Sequence, residues 1–140
     1  MLQPEVFHER LGETLTLRVL RGDELLFSSD KHWLHPLFDL QVHQREHLDI
    51  PWKEALLLDR VTGRAAAFLL ADLGITRIWT RTLSRRAIPV LETSGISFDA
   101  VEVVDRIACS TEDTFLAITD LEIARREIEK LKQRVQQRSQ

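Results

Sequence analysis

The sequence has one cysteine, no excess of positive charge and no long apolar run. The single cysteine, Cys109, excludes a disulfide within the chain and a metal site built from several thiolates. The net charge of −3 disfavours binding to nucleic acid or to an acidic membrane surface. No apolar run approaches the roughly 18 residues of a membrane span, and residues 1–13 lack the apolar core of a signal peptide. We therefore predict a soluble, cytoplasmic protein that binds neither nucleic acid nor membrane.

The apolar content is ordinary for a globular protein. Hydrophobic residues make up 44% of the 140 positions, and a chain of this length buries roughly 68% of its unfolded surface on folding. The sequence contains no internal repeat, linker or low-complexity tract. Residues 1–140 are therefore predicted to form a single domain.

Apolar patterning and turn residues predict a series of strands and helices. Strands are expected as a hairpin at 14–28, a short strand at 55–58, a strand at 75–80 and one or two strands within 96–108. Helices are expected from Pro36 to about 45, from a Thr62 cap to Gly74, from Ser84 to Gly95 and over about 120–137. Strand–helix–strand crossovers imply a partly parallel sheet with helices on both faces, which is a three-layer α/β/α sandwich.

The C-terminal helix has two local signals. Thr119 and Glu122 have the spacing of a capping box, and Glu122 could pair with Arg126 one turn later. Its apolar stripe is formed by Leu121, Ala124, Ile128, Leu131 and Val135. We expect this stripe to pack on the sheet, with a homodimer through the helix as the alternative.

A set of short motifs in residues 14–108 resembles the Domain of Unknown Function 1893 family. The likeness is carried by Asp59, Val61, Gly63, Arg64, Ala65 to Ala67, Gly74, Ser84, Ala87, Leu91, Gly95 and Ile96. The resemblance implies a cytidine-deaminase-like fold with a mixed, roughly five-stranded sheet. Members tend to carry Asn-Arg and then Cys-Pro-x-Glu after the last strands, whereas this chain has Ile-Ala-Cys-Ser at 107–110.

The zinc motifs of working deaminases are missing. Such enzymes carry H-x-E or C-x-E at one helix start and P-C-x-x-C at the facing one. Here the first helix begins near Gly63 without His, Cys or Glu, and the second runs from Ser84 to Ala87 without a thiol. Serine and alanine cannot replace thiolates around zinc, so we expect no metal, no cofactor and no deaminase activity.

The stretch HQREH matches the H-x-x-E-H pattern of inverted zinc peptidases at His43, Glu46 and His47. We favour a polar helix surface over a protease site, because Pro36 and Pro51 confine the helix and the chain is short. His43 is expected on a solvated face, opposite the apolar stripe. Adventitious metal affinity is the alternative, carried by His32, His35, His43 and His47.

The two helix starts are the candidate ligand site. Free backbone N–H groups and the helix dipole attract anions, and ligands of open α/β sheets gather beyond the carboxyl ends of the strands. We predict a small anionic or nucleotide-like ligand bound by Asp59, Thr62, Gly63, Arg64, Arg81, Ser84, Arg85 and Arg86. The structural alternative is that Gly63 allows close packing, Ser84 caps its helix and the arginines are solvated.

The sequence shows no nucleophile paired with a base, so we expect a binding protein rather than an enzyme. The competing hypothesis is an interaction or homodimer module that acts through the C-terminal helix.

Overall fold

The computed structural model describes residues 1–107 and 110–139. Ala108 and Cys109 lie outside the described residues, so the question that the sequence raises about Cys109 is not addressed by the structure. The helices are α1 (Pro4–Leu11), α2 (His35–Glu46), α3 (Arg64–Asp72), α4 (Ile88–Thr93), α5 (Ser110–Phe115) and α6 (Leu121–Ser139). The strands are β1 (Leu17–Arg21), β2 (Glu24–Ser29), β3 (Leu56–Thr62), β4 (Arg77–Ser84) and β5 (Ser97–Val104), and short 3₁₀ turns span Trp52–Glu54 and Arg85–Ala87.

The strands form one mixed sheet in the order β2-β1-β3-β4-β5. Strand β1 is antiparallel to both β2 and β3, while β3, β4 and β5 are parallel and are connected through α3 and α4. The predicted α/β architecture with a mixed five-stranded sheet is therefore confirmed, and the described part of residues 96–108 supplies one strand, β5.

Two apolar clusters lie on opposite faces of the sheet. Helices α2 to α6 contribute to the larger cluster, which includes Leu57 of β3. The smaller cluster joins α1 to Leu56 and Leu58 of the same strand. Successive residues of a strand point to opposite faces of the sheet, and both faces of β3 are covered. The run at 55–58 is therefore apolar at every position. Within the described residues, α1 is the helix of this second face, and it was not predicted.

The predicted cap at Thr62 is wrong. Strand β3 continues to Thr62, because Val61 and Thr62 pair in parallel with β4. The Thr62 hydroxyl is fully buried and donates to Thr80 Oγ1 at 3.0 Å. Gly63 is the N-cap residue of α3 and has no side chain that could accept a hydrogen bond from the first turn.

The boundaries of the next helix follow the prediction. Ser84 Oγ accepts a hydrogen bond from the backbone N–H of Arg86 at 3.2 Å, which caps the 3₁₀ turn that leads into α4. Gly74 and Gly95 follow α3 and α4 with positive φ values of 71° and 72°. Glycine adopts this left-handed conformation without the steric cost that a Cβ imposes.

The cap of helix α6 lies one residue later than predicted. Asp120, rather than Thr119, caps the helix, since Asp120 Oδ1 accepts from the backbone N–H groups of Glu122 at 2.8 Å and Ile123 at 3.2 Å. The Glu122 carboxylate pairs with Arg125, where the sequence predicted Arg126. A carboxylate at Asp120 bonds two free N–H groups of the first turn, which the Thr119 position does not reach.

The apolar stripe of α6 packs within the chain. Ala124 is fully buried, Ile128 is 4% exposed, and Leu121, Leu131 and Val135 are partly buried. The helix packs against α3, where the sequence predicted the sheet, and Arg125 bonds Asp72 at 2.5 Å across that contact. Among the described residues, no helix is both long and apolar enough to cross a membrane.

Candidate functional site

The two predicted helix starts meet, and an internal carboxylate lies between them. Glu112 of α5 is 3% exposed, and its Oε1 accepts from Ser84 Oγ at 2.6 Å and from Arg64 N at 3.3 Å. Its Oε2 accepts from the backbone N–H of Ile107 at 2.9 Å. A Cβ added to Gly63 would lie 3.3 Å from the same Oε2 atom. The position predicted for an anionic ligand is therefore occupied by the chain's own anion.

Arg64 anchors the segment that carries Glu112. The side chain crosses to the end of α5, where Nε donates to Phe115 O at 2.7 Å and Nη2 donates to Ile118 O at 2.5 Å. Nη1 donates to Arg86 O at 2.8 Å. Only 6% of Arg64 is exposed, and burial lowers the pKa of its guanidinium while the nearby Glu112 opposes that shift. These three bonds give Arg64 a structural role.

The other predicted arginines bind acidic side chains of the same chain. Arg81 contacts Glu102 at 3.7 Å, Arg85 contacts Asp105 at 3.3 Å, and Arg86 contacts Asp113 at 3.1 Å. The structure thus places Gly63, Arg64 and Ser84 together around Glu112. The guanidinium groups of Arg81, Arg85 and Arg86 each pair with a different carboxylate. The ligand-binding role of these arginines stays a prediction.

A cavity of about 370 Å³ lies beside this junction, at the carboxyl end of β3. Its walls are the loop before α2, the start of α3 and the start of α5. The apolar lining consists of Trp33, Leu34, Pro36, Val61, Ala65, Ala66 and Ile107. The polar and charged lining consists of Thr16, Lys31, His32, Asp59, Arg60, Arg64, Thr111 and Glu112, with Gly63 between the two groups.

Asp59 is a sheltered carboxyl group in this cavity. Burial raises its pKa to about 7, although hydrogen bonds from the backbone N–H groups of Val61 and Arg60 oppose the shift. The residue as a whole is partly exposed, and it lines the cavity. Within the described part of the chain, no ion pair to Asp59 is present. At neutral pH the Asp59 carboxyl is therefore protonated in about half of the molecules.

The cations of the cavity lining are already engaged. Lys31 Nζ bonds Asp39 Oδ2 at 2.6 Å, and Arg60 Nη2 donates to the backbone carbonyl of Glu13 at 2.5 Å. The lining therefore combines apolar walls with two carboxyl groups, while its basic side chains are directed to other partners.

Trp33 forms the rim of the cavity in an unusual backbone conformation. Its φ of 61° lies in the left-handed region, which is a strained position for a bulky residue. Trp33 is 41% exposed, and its Nε1 donates to Thr111 Oγ1 at 3.4 Å. Phe38 and His35 contact its ring edge-on, with centroids 5.8 Å and 5.3 Å away. Sequence reasoning missed this residue, because nothing in its neighbours signals a positive φ.

Within the HQREH stretch, the rings of His43 and His47 contact other side chains, whereas Arg45 and Glu46 are exposed. Helix α2 ends at Glu46, so His47 lies beyond it, and the rings of His43 and His47 stack at 4.1 Å. His43 also contacts Phe27 at 5.2 Å and Trp52 at 5.8 Å, so the prediction of a solvated face is wrong for this residue. In residues 1–107 and 110–139, no group of three or more His, Cys, Asp or Glu side chains is arranged to hold a metal ion.

Comparisons with known proteins support the fold. A family model described as "Domain of unknown function (DUF1893)" matches residues 7–137. The crystal structure of a DUF1893 family protein from Thermotoga maritima is similar, with a TM-score of 0.74 and 22% identity over 90% of this chain and 84% of that chain. No curated protein matches the sequence.

Weaker similarity extends to dCMP deaminase from the cyanophage S-TIM5. The apo crystal structure has a TM-score of 0.48 and the complex with dCMP and dUMP has one of 0.49. Both are 13% identical over 71% of this chain and 99% of that chain. The fold assignment therefore rests on the similarity to the Thermotoga protein.

Proposed function

We propose that this chain, which belongs to the DUF1893 family of unknown function, binds a small organic molecule in the cavity without transforming it. The observation that carries the proposal is a cavity of about 370 Å³ at the carboxyl end of a parallel strand, with apolar walls, the buried carboxyl group of Glu112 and the partly exposed one of Asp59. Small-molecule sites typically measure about 300–1,000 Å³ and are mostly apolar with a few polar groups. Ligands of open α/β sheets collect at this end of the strands.

The proposed ligand lies beside the helix starts rather than on them. Glu112 already accepts hydrogen bonds from Ser84, from the N–H of Arg64 and from the N–H of Ile107. An anion at the helix starts would have to displace this carboxylate or lie against it. The nucleotide-like ligand predicted from sequence is therefore retained only in the broader form of a small molecule held in the adjoining cavity.

Binding without catalysis follows from the accessibility of the reactive groups. Ser84 and Glu112 form a hydroxyl–carboxylate pair, but Ser84 is fully buried and its hydroxyl is bonded to that carboxylate. A nucleophile must reach a reacting atom at close range, and this hydroxyl is enclosed. The pair therefore fits a structural role.

A fragment screen read by tryptophan fluorescence tests the proposal. Trp33 lines the cavity, so a bound fragment should change its emission, and the Trp33→Phe variant should lose that change. The Trp79→Phe variant is the matched control, since Trp79 packs in the cluster on the other face of the sheet. Val61→Trp places a large side chain in the cavity lining and should weaken binding by about tenfold or more, whereas Val42→Trp on an exposed site of α2 should not.

Two results would refute the binding proposal. One is the absence of any fragment that binds at millimolar concentration to the wild-type chain. The other is a set of fragments whose affinities are equally affected by Val61→Trp and Val42→Trp.

The competing hypothesis concerns α6. Its apolar stripe, which motivated a homodimer, includes Ala124 and Ile128, and both pack inside the same chain. Ile123 is an exposed apolar side chain on this helix, at 48%. Light scattering on the full chain and on Ile123→Glu tests the hypothesis, which requires a dimer that the substitution dissociates.

A further inference from the structure

We infer that the cavity takes a flat cationic ligand, an amidinium or guanidinium group carried on an aromatic ring, with the cation at Asp59 and the ring against Trp33. The inference rests on the proposed binding function and specifies the chemistry of its ligand. It follows from the charge balance of the cavity and from the shape of its rim.

Among the described residues, neither carboxyl group of the cavity forms an ion pair, but the two differ in their hydrogen bonds. Glu112 accepts three hydrogen bonds, from Ser84 Oγ and from the N–H groups of Arg64 and Ile107. For Asp59, the backbone N–H groups of Val61 and Arg60 lower the pKa but do not offset the effect of burial, and no ion pair involving it occurs among the residues that the structure describes. A buried carboxylate gains more from a cation than an exposed one does, because the low local dielectric strengthens the attraction.

The basic side chains of the lining do not meet this demand. Lys31 is paired with Asp39, and Arg60 donates to the carbonyl of Glu13. Arg64 donates to the carbonyls of Phe115, Ile118 and Arg86. An anionic ligand would face two carboxyl groups in a sheltered site, which like-charge repulsion disfavours. A cation with fixed, planar N–H donors instead matches a carboxylate through two parallel hydrogen bonds.

The rim supplies a surface for a flat ring. Trp33 is exposed at the cavity edge, and its indole is positioned by edge-on contacts with His35 and Phe38 and by the hydrogen bond to Thr111. Leu34 and Pro36 continue the apolar wall from the same loop. Aromatic faces attract delocalised cations and stack with flat rings, so one ligand can satisfy both Trp33 and Asp59.

The inference makes binding depend on pH with a definite sign. Burial raises the pKa of Asp59 to about 7, so a cation must displace a proton from this carboxyl below that pH. Affinity should fall by up to about tenfold per pH unit below 7 and level off above it. The other charged or titratable groups that line the cavity are Lys31 and His32 from the loop, Arg60 from β3, Arg64 from α3 and Glu112 from α5.

Three probes of one shape test the charge. Benzamidine is a cation, benzamide is its neutral isostere and benzoate is its anionic counterpart, and each is titrated calorimetrically into the full chain between about pH 5.5 and 8.5. At pH 8 benzamidine should bind at least about tenfold more tightly than benzamide, and benzoate more weakly than either. The advantage of benzamidine should shrink by about tenfold at pH 6.

Variants assign the effect to Asp59. Asp59→Asn should abolish both the preference for benzamidine and its pH dependence, while Asp99→Asn, on β5, should keep both. His32→Asn should also keep the pH dependence, which excludes the imidazole as its source. Trp33→Leu should weaken benzamidine and benzamide equally, and it supplies a second test should Asp59→Asn fail to fold.

The outcomes separate the two proposals. Tighter binding of benzoate, equal binding of benzamidine and benzamide, or affinity that falls as pH rises through 7 overturns the cationic ligand and leaves the binding function in place. The same holds where none of the three probes binds but neutral fragments do. Absence of binding by every compound tested overturns the proposed function itself.

Discussion

The side chain of Glu112 occupies the junction of the two helix starts. Helix N-termini attract anions through their free N–H groups, and here the anion is supplied by Glu112, 48 residues after Arg64 in the chain. Removing a carboxylate from water is costly unless its oxygens are hydrogen-bonded. Both oxygens of Glu112 accept hydrogen bonds, from a hydroxyl and two backbone N–H groups, which offsets that cost.

Glu112→Gln should therefore destabilise the protein. The amide turns one acceptor oxygen into a donor that faces other donors, so the free energy of unfolding should fall by about 2–4 kcal/mol. Urea denaturation measures this change. Asp113→Asn is the matched control, because Asp113 is an exposed neighbour that pairs with Arg86 and Arg106, and its loss should be below about 1 kcal/mol. Equal losses for the two variants would contradict the role of Glu112.

Asp59→Asn should change how stability depends on pH. The pKa of Asp59 is raised from 3.8 to about 7, so between these values the folded chain holds a proton that the unfolded chain has released. Stability of the wild type therefore falls as pH rises over this range and levels off above about pH 7. Asparagine does not ionise, so the variant should gain about 4 kcal/mol relative to the wild type between about pH 4 and pH 8.

Thermal unfolding at several pH values checks this prediction. Asp99→Asn is a suitable control, since it removes an acidic group from another strand. A stability difference between Asp59→Asn and the wild type that does not vary with pH would contradict the raised pKa.

At the scale of elements, α5 and α6 are attached to the body by polar contacts as well as by apolar ones. Arg64 bonds the carbonyls of Phe115 and Ile118, which lie at and just after the end of α5. Asp120 then caps α6. The connection between the two helices is thereby fixed at both ends, and the wall of the cavity that α5 forms is fixed with it.

The two candidate caps of α6 can be distinguished by substitution. Asp120→Ala should lower the free energy of unfolding by about 1 kcal/mol, because two N–H groups of the first turn lose their acceptor. Thr119→Ala should change it by less than about 0.5 kcal/mol. Chemical denaturation of both variants gives the comparison, and a larger loss for Thr119→Ala would restore the capping box predicted from sequence.

At the scale of the whole molecule, the sheet is covered unequally. Helices α2 to α6 bury one face, whereas α1 is the helix that packs on the other face within the described residues. Phe7 of α1 is 1% exposed in the smaller cluster with Leu56 and Leu58. The second layer thus depends on a short helix and few large side chains.

Phe7→Ala should therefore cost about 3–4 kcal/mol, through lost burial and the void left against the sheet. Val6→Ala, at a neighbouring site that is 44% exposed, should change stability by less than about 0.5 kcal/mol. Denaturation midpoints and slopes for the two variants measure the difference. A cost for Phe7→Ala as small as that for Val6→Ala would mean that α1 contributes little to the fold.

The sequence by itself determined the features that depend on near neighbours. The Ser84 cap, the glycines that end α3 and α4, the hairpin and the apolar stripe of α6 all follow from contacts within a few residues. The sheet architecture followed from the order of these elements, because chirality and short connections leave few topologies. The family resemblance predicted that two helix starts face each other.

Only the tertiary structure decided the chemistry of the site. Whether a helix start is free depends on which distant side chain reaches it, and Glu112 arrives from another element. The raised pKa of Asp59 depends on the segments that shelter it, and the left-handed Trp33 on the contacts that hold its ring. Burial and charge pairing are properties of segments brought together by folding, so a linear pattern of residues cannot specify them.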